Sequence, residues 1–274
     1  MSPCPNDTFM FHALMHEEGW CEGFQFDPVM DDIEGLNRRA LDVARALPYT
    51  KISSCAFGHA LPHYRMLRSG AALGRGCGPL VVVSDSSSAR QLSDLQSASI
   101  AIPGVLTTAW LLTRLYGPKR LTPTPLRYDN IMSSVASGAV DAGLIIHESR
   151  FTYKAHGLRA ISDLGVCWEQ DTGLPLPLGV IAAKRSLGDD EVRATEVALA
   201  ASVRHARAHP ERSERWVGEH AQEIDLDVCK AHIELYVNGY SEDLGDEGRR
   251  AVELLLQRGR DAGALPQCAA SPWL

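Results

Sequence analysis

The sequence predicts an α/β fold of two lobes joined by two chain crossings, with a ligand site in the cleft between the lobes. Short apolar runs of strand length alternate with helical patterns along much of the 274-residue chain, which is typical of α/β proteins. The last roughly 90 residues have almost wholly helical patterns instead. A succession of β-α units followed by a long helical tail suits two α/β lobes.

Strands are predicted where apolar residues run together, and helices where they recur at intervals of three and four. Gly138 can end a helix that begins near Asp129, because glycine readily adopts the left-handed conformation of a helix C-terminus. In chain order, the predicted strands are one ending in Thr50–Ser54, then Leu80–Val83, Ser99–Pro103, Ala142–Ile146 and Gly179–Ala183, and the clearest other helices are Phe9–His16, Ala109–Tyr116, Glu191–Ala208 and Glu247–Arg258.

Two polar segments are predicted to carry the chain from one lobe to the other. The serine-rich segment Ser84–Ser88 follows one predicted strand, and Lys184–Gly188 follows another. Crossings at these points would make residues 85–182 an inserted lobe. Residues 1–84 and 183–274 would then form a discontinuous first lobe.

Charge and composition exclude several function classes. The net charge is −7 and the sequence pI is about 5.8, with basic residues scattered along the chain, so a nucleic-acid partner is not expected. No apolar run approaches the roughly 20 residues of a membrane span. The first residues, MSPCPNDTF, lack the pattern of a signal peptide, so we expect a cytoplasmic protein.

The cysteine pattern points to reduced thiols. The chain has seven cysteines, widely spaced, and no CxxC pair, which argues against a zinc ribbon or a redox dithiol. Cys4 and Cys55 lie in segments that also carry candidate site residues. Nothing in the sequence marks either as a nucleophile.

His147 is the strongest candidate for a catalytic residue. It follows the apolar strand Ala142–Ile146 and opens a polar block. Ligands of open α/β sheets bind beyond the carboxyl ends of strands, and an imidazole there can exchange protons near neutral pH. A lone histidine at a strand end is more often structural, but the polar residues that follow favour the functional interpretation. Glu148 or Ser149 would orient the imidazole or lie on the surface.

Thr107 and Thr108 precede the predicted helix Ala109–Tyr116. Thr108 has the position of an N-cap residue, and the free N–H groups beyond it would attract a carboxylate. Taken singly, a threonine before a helix is a cap far more often than a ligand contact. The pattern supports a ligand contact only if other polar segments also lie between a strand and a helix.

Two such blocks occur earlier in the chain. The segment Thr50–Ser54 ends a predicted strand and leads into a short helix, so that Lys51 could supply a cation and Ser53 a hydroxyl. A lone lysine is usually a solvated charge, but blocks that open at strand ends converge in a cleft between lobes. The other block precedes the helix Phe9–His16 and carries three polar residues, Asn6, Asp7 and Thr8.

A metal site is not expected. His12 and His16 have the i,i+4 spacing of a helical metal pair, with Glu17 beside them, but the sequence is not HExxH and shows no third ligand. Pro62 interrupts the pair His59 and His63. The segment Gly74–Gly78 is predicted to be a flexible or tight connection, not a dinucleotide loop.

Several blocks together resemble the 1,4-dihydroxy-6-naphthoate synthase family of the futalosine route to menaquinone. The resemblance extends over essentially the whole chain, and HESRFTY and TGLPLPLG are its most specific parts. The blocks are SPCPNDTF (2–9), LNRRAL (36–41), TKISS (50–54), SGAALGRGCGPLVV (69–82), GLIIHESRFTY (143–153) and TGLPLPLG (172–179).

The resemblance implies a fold like that of type II periplasmic binding proteins. It also implies a carbon–carbon lyase that converts cyclic dehypoxanthine futalosine to 1,4-dihydroxy-6-naphthoate and a sugar-derived fragment. Because an aromatic product drives this reaction, we expect no cofactor. Family members carry a strand-forming segment before SPCPND, so we expect either a translation start upstream of Met1 or a first sheet without that strand. The family pattern makes His147 the general base and assigns substrate contacts to Lys51, Ile52, Ser53, Thr107 and Thr108.

Two other classes of protein remain as alternatives. The first is a non-catalytic binding protein for a small carboxylate, which would use the same two-lobed clamp. The second is the ligand-sensing domain of a transcription regulator, which is less favoured because no DNA-binding segment accompanies the chain. All three interpretations require a small-molecule ligand, and the oligomeric state stays open.

Overall fold

The structure, a computed structural model, describes residues 1–17, 25–221 and 225–274. Within these ranges no helix is both long and apolar enough to cross a membrane. The strands are β1 Tyr49–Ser53, β2 Tyr64–Met66, β3 Ala72–Gly74, β4 Leu80–Ser84, β5 Ser99–Ile102, β6 Thr122–Pro125, β7 Ala142–Ile145, β8 Leu158–Asp163 and β9 Leu176–Lys184. The helices are α1 Pro5–His16, α2 Ile33–Leu41, α3 Ser54–Ala60, α4 Thr108–Tyr116, α5 Ile131–Ala136, α6 Ser149–Thr152, α7 Leu164–Thr172, α8 Asp189–Ala208, α9 Glu214–His220, α10 Leu226–Tyr236, α11 Gly239–Glu242 and α12 Gly245–Asp261.

The strands form two separate sheets. In the first sheet β9 pairs antiparallel with β1, β2 and β3, and Lys51 lies opposite Ile181. The second sheet has the order β6-β5-β7-β4-β8. In it β5 is parallel to β6 and β7, whereas β4 is antiparallel to β7 and β8. The predicted strands and helices are present, and Gly138 has the expected left-handed conformation just beyond α5.

The crossings between the sheets lie at other points than the sequence predicts. Residues 80–84, assigned above to the first lobe, form β4 of the second sheet, and most of β9 was assigned to the inserted lobe although it pairs in the first. The chain therefore passes from the first sheet to the second within 75–79 and returns within 164–175. The segment Ser84–Ser88 is instead a turn, in which Ser87 N donates to Ser84 O at 2.9 Å. Polar turn residues suit any surface turn, so composition could not single out a crossing.

Two helix starts also differ from the sequence prediction. Pro5 is the first residue of α1, with Cys4 as N-cap, so that residues 5–8 form the first turn of the helix and do not precede it. Proline is favoured at this position because its fixed φ angle suits a helix and its missing N–H is not needed there. In α4 the N-cap is Thr107, not Thr108.

A shared core holds the two sheets together. The largest buried cluster contains Ile52 and Val180 of the first sheet, Ile100 of the second and Trp168 of α7. A second cluster packs α1 against α8, where Ser202 Oγ donates to Met10 O at 2.7 Å. This packing sets the first turn of α1 at the boundary between the sheets.

The first crossing depends on a close approach of two glycines. A Cβ atom on Gly78 would overlap the backbone of Gly165 at the start of α7. We expect Gly78→Ala to lower the free energy of unfolding by about 1–3 kcal/mol, because added atoms in a packed site force backbone shifts. Gly218→Ala, in the exposed face of α9 with open space around it, should be neutral or stabilising by about 0.5–1 kcal/mol.

Urea denaturation of the two variants and the parent measures this difference. Similar stability of both variants would contradict the tight packing of the crossing.

Candidate active site

A cleft lies between the two sheets and is bordered by the ends of several elements. The first turn of α1, the end of β1, the start of α4 and the two residues after β7 all reach it. The sequence-predicted residues that line it are Asn6, Asp7, Lys51, Ser53, Thr107, Thr108 and His147. The fold thus brings together predicted residues from four separate segments of the chain.

Four predicted residues do not line the cleft. Side chains alternate along a strand, so Ile52 points away from Lys51 and Ser53 and is buried in the core. Thr8 Oγ1 donates back to Cys4 O at 3.2 Å within α1. The remaining two, Glu148 and Ser149, are buried beside His147. The part played by these four side chains stays a prediction.

A buried ion pair joins α1 to β1. Lys51 Nζ donates to Asp7 Oδ1 at 2.5 Å, and both side chains are almost fully buried, with 4% and 0% exposure. Asp7 also accepts hydrogen bonds from Ser2 N, Ser2 Oγ and Asn6 Nδ2. Burial by itself would raise the pKa of the Asp7 carboxyl, but the Lys51 charge and the hydrogen bonds from Lys51 and Ser2 lower it below its usual value. Asp7 is therefore ionised at neutral pH.

His147 follows β7 after one intervening residue, Ile146, and has an unusual backbone conformation. Its φ angle is 54°, in the left-handed region that L-residues rarely adopt. Such strain is typical of functional sites. The ring contacts Cys4 Sγ, 3.5 Å from Nδ1, and the ring of Tyr128, with 5.0 Å between centroids.

These surroundings decide the protonation state of His147. Desolvation lowers the pKa of the imidazole from 6.5 to about 4, although Asp7 and Asp32 oppose the shift. The ring is therefore neutral at pH 7, and one of its nitrogens carries a lone pair that can accept a proton. Burial also raises the pKa of the Cys4 thiol well above its usual value, so Cys4 is a neutral neighbour and not a thiolate.

The start of α4 borders the cleft. The Thr107 hydroxyl caps the helix by accepting from Trp110 N at 3.3 Å. Thr108 Oγ1 donates to Leu178 O in β9 at 2.7 Å, which ties this helix to the first sheet. The N–H groups of Thr108 and Ala109, which lie in the first helical turn, have no acceptor within the helix. Both residues line the cleft, so an anion can reach these groups.

Ser53 is held in place by a residue that sequence reasoning missed. The Asn37 side chain donates to Ser53 Oγ at 3.0 Å and accepts from Ser53 N at 2.8 Å. With Oγ already accepting, the hydroxyl hydrogen of Ser53 is left for a ligand. Asn37 belongs to the family block LNRRAL, which is the only sequence signal for it.

A second histidine, His232 of α10, also lines the cleft and was not predicted. Its ring is nearly parallel to that of His147, with 6.1 Å between centroids. Tyr236, one helical turn later, packs against His232, with 4.5 Å between the ring centroids. The helix carries no motif around His232, so only the tertiary structure reveals it.

The described residues offer no metal centre. Among residues 1–17, 25–221 and 225–274 no three His, Cys, Asp or Glu side chains are grouped so as to hold an ion. His16 instead packs against Trp216, with 4.3 Å between ring centroids. Six cysteines are free thiols, and Cys21 lies outside the described residues.

The architecture is that of periplasmic binding proteins. A protein from Archaeoglobus fulgidus superimposes with a TM-score of 0.88 at 32% identity, covering 97% of both chains. The alkanesulfonate-binding protein SsuA of Xanthomonas axonopodis pv. citri has a TM-score of 0.72 at 14% identity, covering 97% of this chain and 92% of its own. The predicted fold class is confirmed.

Sequence comparison identifies the family to which the chain belongs. A family model described as menaquinone biosynthesis matches residues 1–261. A Thermus thermophilus protein is 48% identical over 263 residues, covering 96% of this chain and 93% of its own, and a Streptomyces coelicolor protein is 42% identical over 277 positions, covering 97% and 93%. Both are named 1,4-dihydroxy-6-naphthoate synthase. The chain belongs to this family of menaquinone-biosynthesis enzymes, as its sequence blocks predict.

The buried ion pair predicts a large effect of removing one partner. Lys51→Met should lower the free energy of unfolding by about 3–5 kcal/mol, because it leaves the Asp7 carboxylate buried without its cation. Adding Asp7→Asn should restore part of the loss. Arg204→Met is the matched control, since it breaks an exposed ion pair with Glu242 and should cost less than about 1 kcal/mol.

Urea denaturation at neutral pH measures all three variants. Equal losses for Lys51→Met and Arg204→Met would contradict the role assigned to the pair.

Proposed function

We propose that this protein is a 1,4-dihydroxy-6-naphthoate synthase that cleaves cyclic dehypoxanthine futalosine, with His147 as general base. The names of its two relatives support the reaction. The observation that carries the proposal is the neutral, desolvated imidazole of His147 in a cleft between two sheets. Free thiols at six of the cysteines are consistent with a reducing, cytoplasmic location.

The substrate carboxylate is proposed to bind at the start of α4. The N–H groups of Thr108 and Ala109 and the positive end of the helix dipole favour an anion there. The hydroxyl of Ser53 lies on the same cleft and can donate to the ligand. Lys51 adds positive charge, although Asp7 already neutralises much of it.

His147 then removes a proton from the bound substrate. Its pKa of about 4 keeps the ring in the basic form at pH 7 but makes it a weak base. The transfer is therefore coupled to fragment release and to formation of the aromatic product, which supply the driving force. The negative charges of Asp7 and Asp32 favour the imidazolium that results, because both raise the pKa of His147.

The two halves of the molecule are proposed to close on the substrate as lobes. One lobe contains the first sheet and the other contains the second, with crossings within 75–79 and 164–175. His147 follows β7 of the second sheet, whereas Lys51 and Ser53 lie in β1 of the first. Closure brings the base and the binding groups together and excludes water.

The first test is an assay of the purified protein with cyclic dehypoxanthine futalosine, followed by chromatography and mass detection of the naphthoate. His147→Asn should reduce turnover by about 10²–10⁴-fold, the usual contribution of a general base. Asparagine tolerates the left-handed conformation, so the variant should fold and bind substrate nearly as well as the parent.

His63→Asn changes an exposed histidine outside the cleft and should leave turnover unchanged. Turnover of His147→Asn within threefold of the parent would refute the role of the base. Substrate that binds without being consumed by the parent would indicate a solute-binding or ligand-sensing protein instead.

The lowered pKa of His147 predicts an unusual pH dependence of kcat/KM. A base acts only when deprotonated, so kcat/KM should stay level as the pH falls through 6.5 and should decline only near pH 4. Re-assay at neutral pH after exposure to acid separates this titration from unfolding. A decline centred near pH 6.5 would show that the imidazole of the free enzyme is solvated.

A further inference from the structure

His232 is a buried polar group that has no part in the proposed proton transfer. Its side chain lines the cleft and is only 1% exposed. Its Nδ1 atom is buried and has no hydrogen-bond partner within the described residues. A buried acceptor or donor without a partner is costly, so in a ligand cleft it indicates a contact with the ligand.

The ion pair Lys51–Asp7 determines which way the Asn6 amide faces. One end of that amide lies 2.9 Å from Asp7 Oδ1. Because Asp7 is an ionised carboxylate, it can only accept, and the Asn6 atom beside it must be the donor Nδ2. The other end of the amide, the acceptor Oδ1, therefore faces His232.

The Asn6 amide in turn determines the tautomer of His232. Nε2 of the ring lies 3.0 Å from Asn6 Oδ1, which accepts only, so Nε2 must carry the hydrogen. Burial lowers the pKa of His232 well below its usual value, and the nearby His147 and Lys51 lower it further, so the ring is neutral. A neutral ring with its hydrogen on Nε2 has a bare lone pair on Nδ1.

We propose that His232 is a substrate-positioning residue whose Nδ1 accepts a hydrogen bond from a hydroxyl of the sugar-derived part of the substrate. This inference rests on the proposed function. Only a donor satisfies a bare nitrogen, which excludes the carboxylate and the aromatic carbons. The carboxylate is assigned to the start of α4, so the hydroxyls of the remaining part are the donors left for His232.

Two substitutions separate this role from a purely structural one. His232→Gln places an amide nitrogen near the position of Nε2, so it keeps the donor to Asn6 and loses the acceptor at Nδ1. His232→Asn places a carboxamide near Nδ1, so it keeps an acceptor there and loses the donor to Asn6. A structural role predicts that glutamine is the better replacement, whereas substrate positioning predicts asparagine.

The experiment measures ligand affinity by calorimetry in the His147→Asn protein, in which turnover does not interfere. His232→Gln should weaken binding of cyclic dehypoxanthine futalosine by about tenfold or more, the effect of one buried hydrogen bond. It should change the affinity for 1,4-dihydroxy-6-naphthoate by less than about twofold, because the product lacks the sugar-derived part. His232→Asn should retain the preference for substrate.

The outcomes distinguish the two proposals. Equal weakening of substrate and product by His232→Gln, or no weakening of either, would overturn the role of His232 alone. Failure of the parent to bind or convert the substrate would overturn the proposed function and this inference with it. Independently of any ligand, ¹⁵N NMR of the imidazole should show the hydrogen on Nε2, and a hydrogen on Nδ1 would also refute the inference.

Discussion

The ion pair between Asp7 and Lys51 is the interaction on which the rest of the site depends. Two charges almost fully removed from water are stable only as a pair with further hydrogen bonds, and Ser2 and Asn6 provide these bonds to the carboxylate. The pair joins the first turn of α1 to the central part of β1. Through Asn6 it also reaches α10, so three segments far apart in the chain are held at one wall of the cleft.

Around this fixed charge pair, the site uses neutral polar groups. Both cleft histidines are uncharged at pH 7 because burial removes the water that would solvate an imidazolium. Asp7 and Asp32 counter that effect at His147 but do not cancel it. The result is a pocket whose proton acceptors are available at neutral pH and whose anion-binding groups are backbone N–H groups. Neutral donors and acceptors hold their geometry without a large desolvation penalty when the substrate displaces water.

Sequence reasoning succeeded where the relevant signal is local. The apolar run before His147, the strand that ends at Ser53 and the start of α4 are each contained in a few consecutive residues, and each is where the sequence predicts it. It assigned β4 and most of β9 to the wrong sheets, because polar turns such as Ser84–Ser88 look the same whether the chain turns within a sheet or leaves it. Gly78, in the segment where the chain passes between the sheets, is crowded against Gly165, and these glycines are 87 positions apart.

The sequence by itself determined the fold class, the family and most of the polar residues around the cleft, because apolar periodicity, helix starts and family blocks are properties of neighbouring residues. Only the tertiary structure decided which strands pair, that Ile52 is buried in the core beside the cleft, and that Asn37 and His232 belong to the site. The tertiary structure also decided that His147 is neutral at pH 7. Its pKa depends on burial and on charges from distant segments, and a chain has neither until it folds.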